Sequence, residues 1–105
     1  MMNIVGVTAC TTGIAHTYMA QEAIEKECKK RGYTVKIETQ GGMGIDNELS
    51  DEEVAAADVV ILAISIGIEG EERFEEKQDE GKVLTLDPSA VIKDVNGVVD
   101  RLENL

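Results

Sequence analysis

The most apolar run of the chain is Val59-Val60-Ile61-Leu62-Ala63-Ile64. Six apolar residues in a row, four of them β-branched, are typical of a strand whose two faces are both covered. Strands of this kind belong to parallel sheets that have helices packed on each side. We therefore expect residues 59–64 to form a central parallel strand, with helices and strands alternating before and after it.

On the amino-terminal side, Ile4-Val5-Gly6-Val7 predicts a first strand over residues 3–8. A helix is expected over about residues 13–30, because apolar residues recur there every three or four positions while polar residues fill the other side. Gly32 is the expected stop of this helix, and the alternating polarity of residues 34–38 predicts an outer strand. Ser50 and Glu53 have the spacing of a capping box, which predicts a short helix to about residue 57.

On the carboxyl-terminal side, residues 65–72 are expected to form a loop and residues 73–76 a weak helical turn. A fourth strand is predicted over residues 82–86, and Asp87-Pro88 begins a last helix that Gly97 weakens midway. The pattern predicts one α/β domain over residues 1–105, built on an open, mostly parallel four-stranded sheet. We expect a doubly wound, Rossmann-like sheet with helices on both faces and strand order 2-1-3-4, so that the switch point lies at the end of the first strand.

The composition narrows the class of protein. Acidic residues outnumber basic ones 21 to 10, and three aromatic residues are present, which argues against direct binding to nucleic acid. No apolar run approaches a membrane span and the amino terminus has no signal-like stretch, so no direct membrane insertion is expected. Two cysteines without a Cys-x-x-Cys pair or Cys/His cluster indicate neither a disulfide framework nor a metal site. A cytoplasmic location is expected.

The candidate site is the loop between the first strand and the first helix, Cys10-Thr11-Thr12-Gly13-Ile14-Ala15-His16-Thr17. In doubly wound folds this turn supplies backbone N–H groups that can hold a phosphate. A thiolate at Cys10 would be stabilised by the helix dipole and by these N–H groups, and could be the covalent partner of a phosphoryl group. Cys28 lies on the apolar stripe of the helix and is expected to be a core residue.

Three kinds of chemistry could use this loop. A low-molecular-weight cysteine phosphatase needs an arginine six residues after the cysteine to clamp the phosphoryl oxygens, and His16 stands there instead. A thiol without that clamp is better suited to carrying a phosphoryl group than to releasing it to water. An FMN-binding, flavodoxin-like loop matches only the middle of the segment, and thiol redox chemistry lacks a nearby second cysteine.

The segment from Cys10 to Thr17, together with Glu38-Thr39-Gln40-Gly41, closely resembles the fructose-type IIB family of the bacterial phosphoenolpyruvate-dependent sugar phosphotransferase system (PTS). Three further segments resemble that family in order and spacing: residues 44–49, residues 55–60 and Glu72-Arg73-Phe74. The resemblance implies that Cys10 takes a phosphoryl group from a phosphohistidine of the IIA component. It further implies transfer of that group to a sugar, fructose or a related hexose, bound by the membrane component IIC. The reaction would pass through a covalent phosphocysteine and need no cofactor.

The family's pattern differs at two positions, with proline usual where this chain has Thr11 and aspartate common where it has Ser65. His16 either hydrogen-bonds the phosphoryl group or anchors the loop. Thr12 and Thr17 are either phosphate donors or helix-capping hydroxyls. Gln40 and Gly41 lie at the end of the second strand and are expected to border the same crevice, although a purely structural role is open to both.

Overall fold

The computed structural model describes residues 2–10, 14–42 and 44–105 of the chain. Its strands are β1 (Asn3–Ala9), β2 (Thr34–Gly41), β3 (Gly44–Asp46), β4 (Val59–Ile64) and β5 (Val83–Leu86). Its α-helices are α1 (Ile14–Lys30), α2 (Asp51–Ala56), α3 (Glu75–Asp79), α4 (Pro88–Lys93) and α5 (Val95–Glu103). A 3₁₀ turn over Glu71–Phe74 leads directly into α3.

The strands form one sheet in the order β3-β2-β1-β4-β5, in which β3 is antiparallel to β2 and the other pairs are parallel. β1 lies at the centre, with Thr8 opposite Thr39 of β2 on one side and opposite Ala63 of β4 on the other. The strands that the sequence predicts follow the order β2-β1-β4-β5, which is the expected order 2-1-3-4. The doubly wound α/β class and the strand order are therefore confirmed.

The predicted number of four strands is wrong, because the structure adds β3 at one edge of the sheet. The sequence predicts a loop over residues 39–45, where Gly41, Gly42 and Gly44 are typical of turns. β3 pairs with β2 through the backbone, with Gln40 opposite Ile45 and Thr39 opposite Asp46, and its three side chains are exposed. Pairing of this kind depends on the turn after β2 and leaves no apolar alternation that a sequence pattern could reveal.

The core lies on both faces of the sheet. On one face, α1, α4 and α5 cover β1 and β4 through the buried side chains Ala20, Ile24, Cys28, Val91, Val98, Val99 and Leu102. On the other face, α2 and the 3₁₀ turn cover the same strands through Val54, Ala57 and Phe74. Successive residues of β1 and β4 alternate between the two clusters, as expected for strands with two covered faces.

The prediction of a single last helix is also wrong, because the helical conformation is interrupted at Asp94, which separates α4 from α5. Asp94 leaves the helical conformation, with φ −150° and ψ 62°, and its carboxylate accepts a hydrogen bond from Gly97 N–H at 3.2 Å. A side chain at position 97 would collide with that carboxylate. Gly97 therefore lies in the first turn of a second helix. The sequence pattern instead predicts that it weakens the middle of a single helix.

Candidate functional site

The carboxyl ends of β1, β2 and β4 meet at one edge of the sheet, which is where ligands bind in doubly wound folds. Cys10 directly follows β1 at this edge, and its side chain is partly exposed. Ser65 directly follows β4, and its N–H donates a hydrogen bond to the carbonyl of Ala9 at 3.0 Å. The predicted nucleophile is thus at the surface, next to the first residue of the segment that follows β4.

The predicted phosphate loop is described only in part. Thr11, Thr12, Gly13 and the side chain of Ile14 lie outside the described residues. In the first turn of α1, Ala15 is exposed, His16 is partly exposed and Thr17 is fully buried. The roles of these residues toward a phosphoryl group stay predictions.

α1, which carries His16 in its first turn, packs against α4. The carboxyl of Asp87, the N-cap of α4, has a lowered pKa chiefly because the hydroxyl and N–H of Ser89 donate hydrogen bonds to it. Burial opposes this lowering, and a positive charge on His16 would add to it. Sequence spacing associates His16 only with Cys10 and the phosphate loop, and it gives no indication of this electrostatic link to Asp87.

Gln40 and Gly41 end β2 on opposite faces of the strand. The side-chain amide of Gln40 donates to the Glu69 carbonyl at 2.9 Å and accepts from the Glu69 N–H at 2.8 Å. Gly41 lies near the hydroxyl of Tyr18 in α1, since a Cβ at position 41 would be 3.4 Å from that oxygen. Gln40 therefore holds the backbone of the segment after β4, while Gly41 borders the first half of α1.

A buried ion pair lies beside Gln40, and the sequence pattern gives no sign of a role for either member. Glu38 of β2 is fully buried and receives both guanidinium branches of Arg73, with Nη1 at 2.7 Å from Oε1 and Nη2 at 3.0 Å from Oε2. Burial alone would raise the pKa of Glu38, but hydrogen bonds from Arg73, from Leu49 N–H and from Gln40 outweigh burial and lower it from the ordinary 4.5. The carboxyl is therefore ionised at neutral pH.

Three threonine hydroxyls are buried on the α1 side of the same edge. Thr8 and Thr39 are opposite each other on β1 and β2, and Thr17 lies on the face of α1 that carries Ala20 and Ile24. In the part of the chain that the structure describes, these three hydroxyl oxygens have no hydrogen-bond partner. A buried hydroxyl without a partner lowers stability, so these positions are candidates for a role that offsets this cost.

The described residues form no metal site, and a groove among them lies apart from the predicted site residues. Within residues 2–10, 14–42 and 44–105, no group of three His, Cys, Asp or Glu side chains could hold a metal ion. A groove of about 310 Å³ lies between α2 and the 3₁₀ turn, lined by Asp51, Glu72 and Lys77 among others. None of the predicted site residues lines this groove. No helix in the described ranges is long and apolar enough to cross a membrane.

Comparisons with known proteins place the chain in a family. The family model described as "PTS system, Lactose/Cellobiose specific IIB subunit" matches residues 5–101. The PTS system fructose-like EIIB component 2 of Escherichia coli (strain K12) is 46% identical over 103 residues, covering 98% of this chain and 93% of that protein. The fructose-like PTS system EIIBC component of the same strain is 44% identical, covering 96% of this chain and 20% of that longer protein.

A solved structure agrees with these relatives. A domain from the fructose-specific IIABC component (PTS system) of Borrelia burgdorferi superposes with a TM-score of 0.86 and is 43% identical, covering 98% of this chain and 94% of that chain. The chain therefore belongs to the fructose-like IIB components of the sugar phosphotransferase system, a family of phosphotransferases.

Proposed function

We propose that Cys10 is the residue that carries the phosphoryl group in this chain. The observation that supports this most is the position of Cys10, which is partly exposed directly after the central strand and shortly before α1. The dipole of a helix that begins beside a thiol favours its thiolate form, and the thiolate is the nucleophile. The chain's other thiol, Cys28, is fully buried and has no such position.

The proposed reaction has two steps. In the first, the Cys10 thiolate attacks the phosphorus of a phosphohistidine on a IIA component, so that the P–N bond breaks and an S–P bond forms. In the second, a sugar hydroxyl attacks the phosphocysteine, which breaks the S–P bond, forms an O–P bond and releases the hydroxyl proton to a base or to water. Phosphoryl transfer of this kind needs in-line positioning and neutralisation of the phosphoryl oxygens more than it needs other covalent help. The proposal includes no cofactor.

The partners are proposed from the family and from the names of relatives. The Escherichia coli relative named an EIIBC component and the Borrelia burgdorferi IIABC component are longer proteins whose names combine the B part with C, or with A and C. We propose that this chain meets a IIA component as donor and a membrane IIC component with bound sugar as acceptor, at the cytoplasmic face of the membrane. The family model is named for lactose and cellobiose and the relatives for fructose, so these names do not fix the sugar.

The proposal is tested by phosphorylating the protein with a IIA component that has been charged from phosphoenolpyruvate by the general relay proteins. Wild type and the matched control Cys28→Ser should take up one phosphoryl group per chain, whereas Cys10→Ser should take up none. Wild type charged in this way should pass the group to sugar only when membranes containing IIC are added. Uptake by Cys10→Ser at the wild-type level would refute the proposal, and steady hydrolysis of an aryl phosphate without any partner would favour a phosphatase instead.

A further inference from the structure

The segment over residues 65–70, called the crossing loop below, passes over the end of β1. It begins at the end of β4, where Ser65 N–H bonds the Ala9 carbonyl, and its residue Glu69 is bonded to Gln40 at the end of β2. β1 lies between β4 and β2 in the sheet. The loop therefore spans β1 near its carboxyl end, on the face that carries Glu38 and Phe74, and Cys10 follows β1 at this end.

The far end of the crossing loop is fixed by two side chains. Gln40 pairs with both the N–H and the carbonyl of Glu69, as a neighbouring strand would. Arg73 donates from Nη2 to the Glu69 carbonyl at 3.0 Å and from Nε to the Gly70 carbonyl at 2.7 Å. Gly70 has a φ of 72°, and a side chain there would collide with the guanidinium, so the loop and Arg73 fit each other closely.

Arg73 is itself held in place by Glu38 of β2. The two-branched contact between them fixes the plane of the guanidinium, and Nη1 also donates to the Leu49 carbonyl at 2.7 Å. Glu38 accepts a further bond from Leu49 N–H at 2.7 Å, so the segment before α2 is tied to the same pair. Glu38, Gln40 and Arg73, called the clamp below, thus join β2, the crossing loop and the segment before α2.

A buried ion pair is a costly way to stabilise a fold, because an apolar pair of similar volume often stabilises as well or better. Its advantage is directional, since a two-branched guanidinium contact permits one arrangement of the groups around it. In this chain the groups so arranged are the backbone atoms of the crossing loop beside Cys10. Geometry at a transfer site matters because a displacement of about 1 Å far from the reacting atoms can slow a reaction on the order of a hundredfold.

We propose that Glu38, Gln40 and Arg73 are positioning residues for phosphoryl transfer, which fix the crossing loop as the wall against which donor and acceptor approach Cys10. This inference rests on the proposed function, because it takes Cys10 as the residue that is phosphorylated. The bonds described for the clamp join its three members to one another, to Leu49 and to residues 69–70 of the loop. The clamp acts through the position of the loop.

The test compares Arg73→Lys and Gln40→Ala with Arg31→Lys as a matched control. Arg31 makes a similar set of bonds, to Glu27, Asp100 and Glu103, but it lies just before the amino end of β2, at the opposite edge of the sheet from Cys10. Initial rates of phosphoryl transfer from charged IIA are measured over a range of IIA concentrations. The temperature is kept far enough below each variant's unfolding midpoint that all of the protein is folded.

We expect kcat to fall at least roughly tenfold in Arg73→Lys and by a smaller factor in Gln40→Ala, while KM for IIA stays near the wild-type value. Arg31→Lys should lose stability but keep its kcat. Amide hydrogen exchange of Gly67 and Ile68 should be faster in the two clamp variants than in wild type and the control.

Three results would overturn the inference. If both folded clamp variants keep the wild-type kcat, the crossing loop need not be fixed for transfer. If kcat falls equally in Arg31→Lys, the effect comes from a general loss of stability. A rise in KM alone would place the effect in docking and not in positioning. If the mass of the Cys10 peptide shows no phosphoryl group on wild type, the proposed function fails as well, so the two failures can be told apart.

Discussion

The two cysteines of the chain lie in opposite surroundings. Cys10 is partly exposed at the end of β1, whereas Cys28 is fully buried among apolar side chains of α1, the sheet and α5. Burial raises the pKa of Cys28 to about 11, with the nearby Arg31 partly opposing this rise. Cys28 is therefore a protonated core residue at neutral pH, as its place on the helix stripe predicts, and Cys28→Ser is a suitable control for any chemistry at Cys10.

At the residue scale, the buried hydroxyl of Thr39 leads to a stability prediction. Because this hydroxyl has no partner among the described residues, it carries a desolvation cost that no hydrogen bond offsets. Thr39→Val removes the hydroxyl at nearly constant volume and should raise the free energy of unfolding by about 1 kcal/mol. Urea unfolding measures this change.

The control for this prediction is Thr85→Val, at an exposed position of β5, where little change is expected. If Thr39→Val lowers the free energy of unfolding by more than the control does, the Thr39 hydroxyl has a stabilising partner in solution and does not carry an uncompensated desolvation cost.

The place of a residue could be predicted from the sequence where a local pattern marks it. It could not be predicted where contacts between distant parts of the chain define it. The place of Cys10 after the first strand and that of Cys28 in the core follow from sequence spacing alone. Glu38 and Arg73 are 35 positions apart, and nothing in either segment reveals that they pair. Gln40 is expected from the sequence at the edge of the crevice, but its bonds to Glu69 depend on the path of the crossing loop.

At the element scale, the capping box of α2 is confirmed. Ser50 Oγ accepts from Glu53 N–H at 3.1 Å, and Glu53 accepts from Ser50 N–H at 2.9 Å. α2 has only six residues, so these end contacts and the burial of Val54 must hold most of it in place. Ser50→Ala should lower the free energy of unfolding by about 1 kcal/mol in urea titration, while Ser50→Thr, which keeps an acceptor oxygen, should lower it much less. Equal stability of wild type and Ser50→Ala would contradict this account of α2.

The elements themselves can be predicted where a periodic apolar pattern or a cap marks them. β1, α1, β2, β4 and β5 all have such a pattern, and α2 has its capping box. β3 has neither, because its three residues are all exposed and no apolar alternation marks them. The boundary between α4 and α5 escapes prediction because the apolar stripe continues across Asp94, so periodicity alone indicates one helix.

At the scale of the whole molecule, charge is divided unevenly between the two sides of the sheet. Residues 46–58 and 69–80 contain thirteen acidic and two basic residues, which accounts for the entire formal net charge of −11. These segments include α2, the 3₁₀ turn and α3, on the Phe74 side of the sheet. The remaining residues, among them α1, α4 and α5 on the other side, are balanced in charge. Like charges so concentrated repel one another and oppose the compact state.

This distribution predicts that salt stabilises the protein. Raising NaCl to about 0.15 M shortens the screening length to about 8 Å and should raise the unfolding temperature relative to low salt. Glu76→Gln, on the acidic side, should raise the unfolding temperature at low salt and reduce its response to salt, whereas Glu22→Gln, on the balanced side, should do neither. Thermal unfolding followed by circular dichroism measures both. An unfolding temperature that falls with added salt would contradict the prediction.

The whole account depends on the phosphoryl group being carried by the thiol of Cys10. The most direct measurement is the mass of each peptide after the protein is charged through the relay proteins and IIA, cleaved and analysed under conditions that preserve the S–P bond. The account predicts one added phosphoryl mass, found on the peptide that contains Cys10 and lost when sugar and IIC membranes are added. A phosphoryl group on any other peptide, or one that fragmentation of the Cys10 peptide in the mass spectrometer assigns to His16, would contradict it.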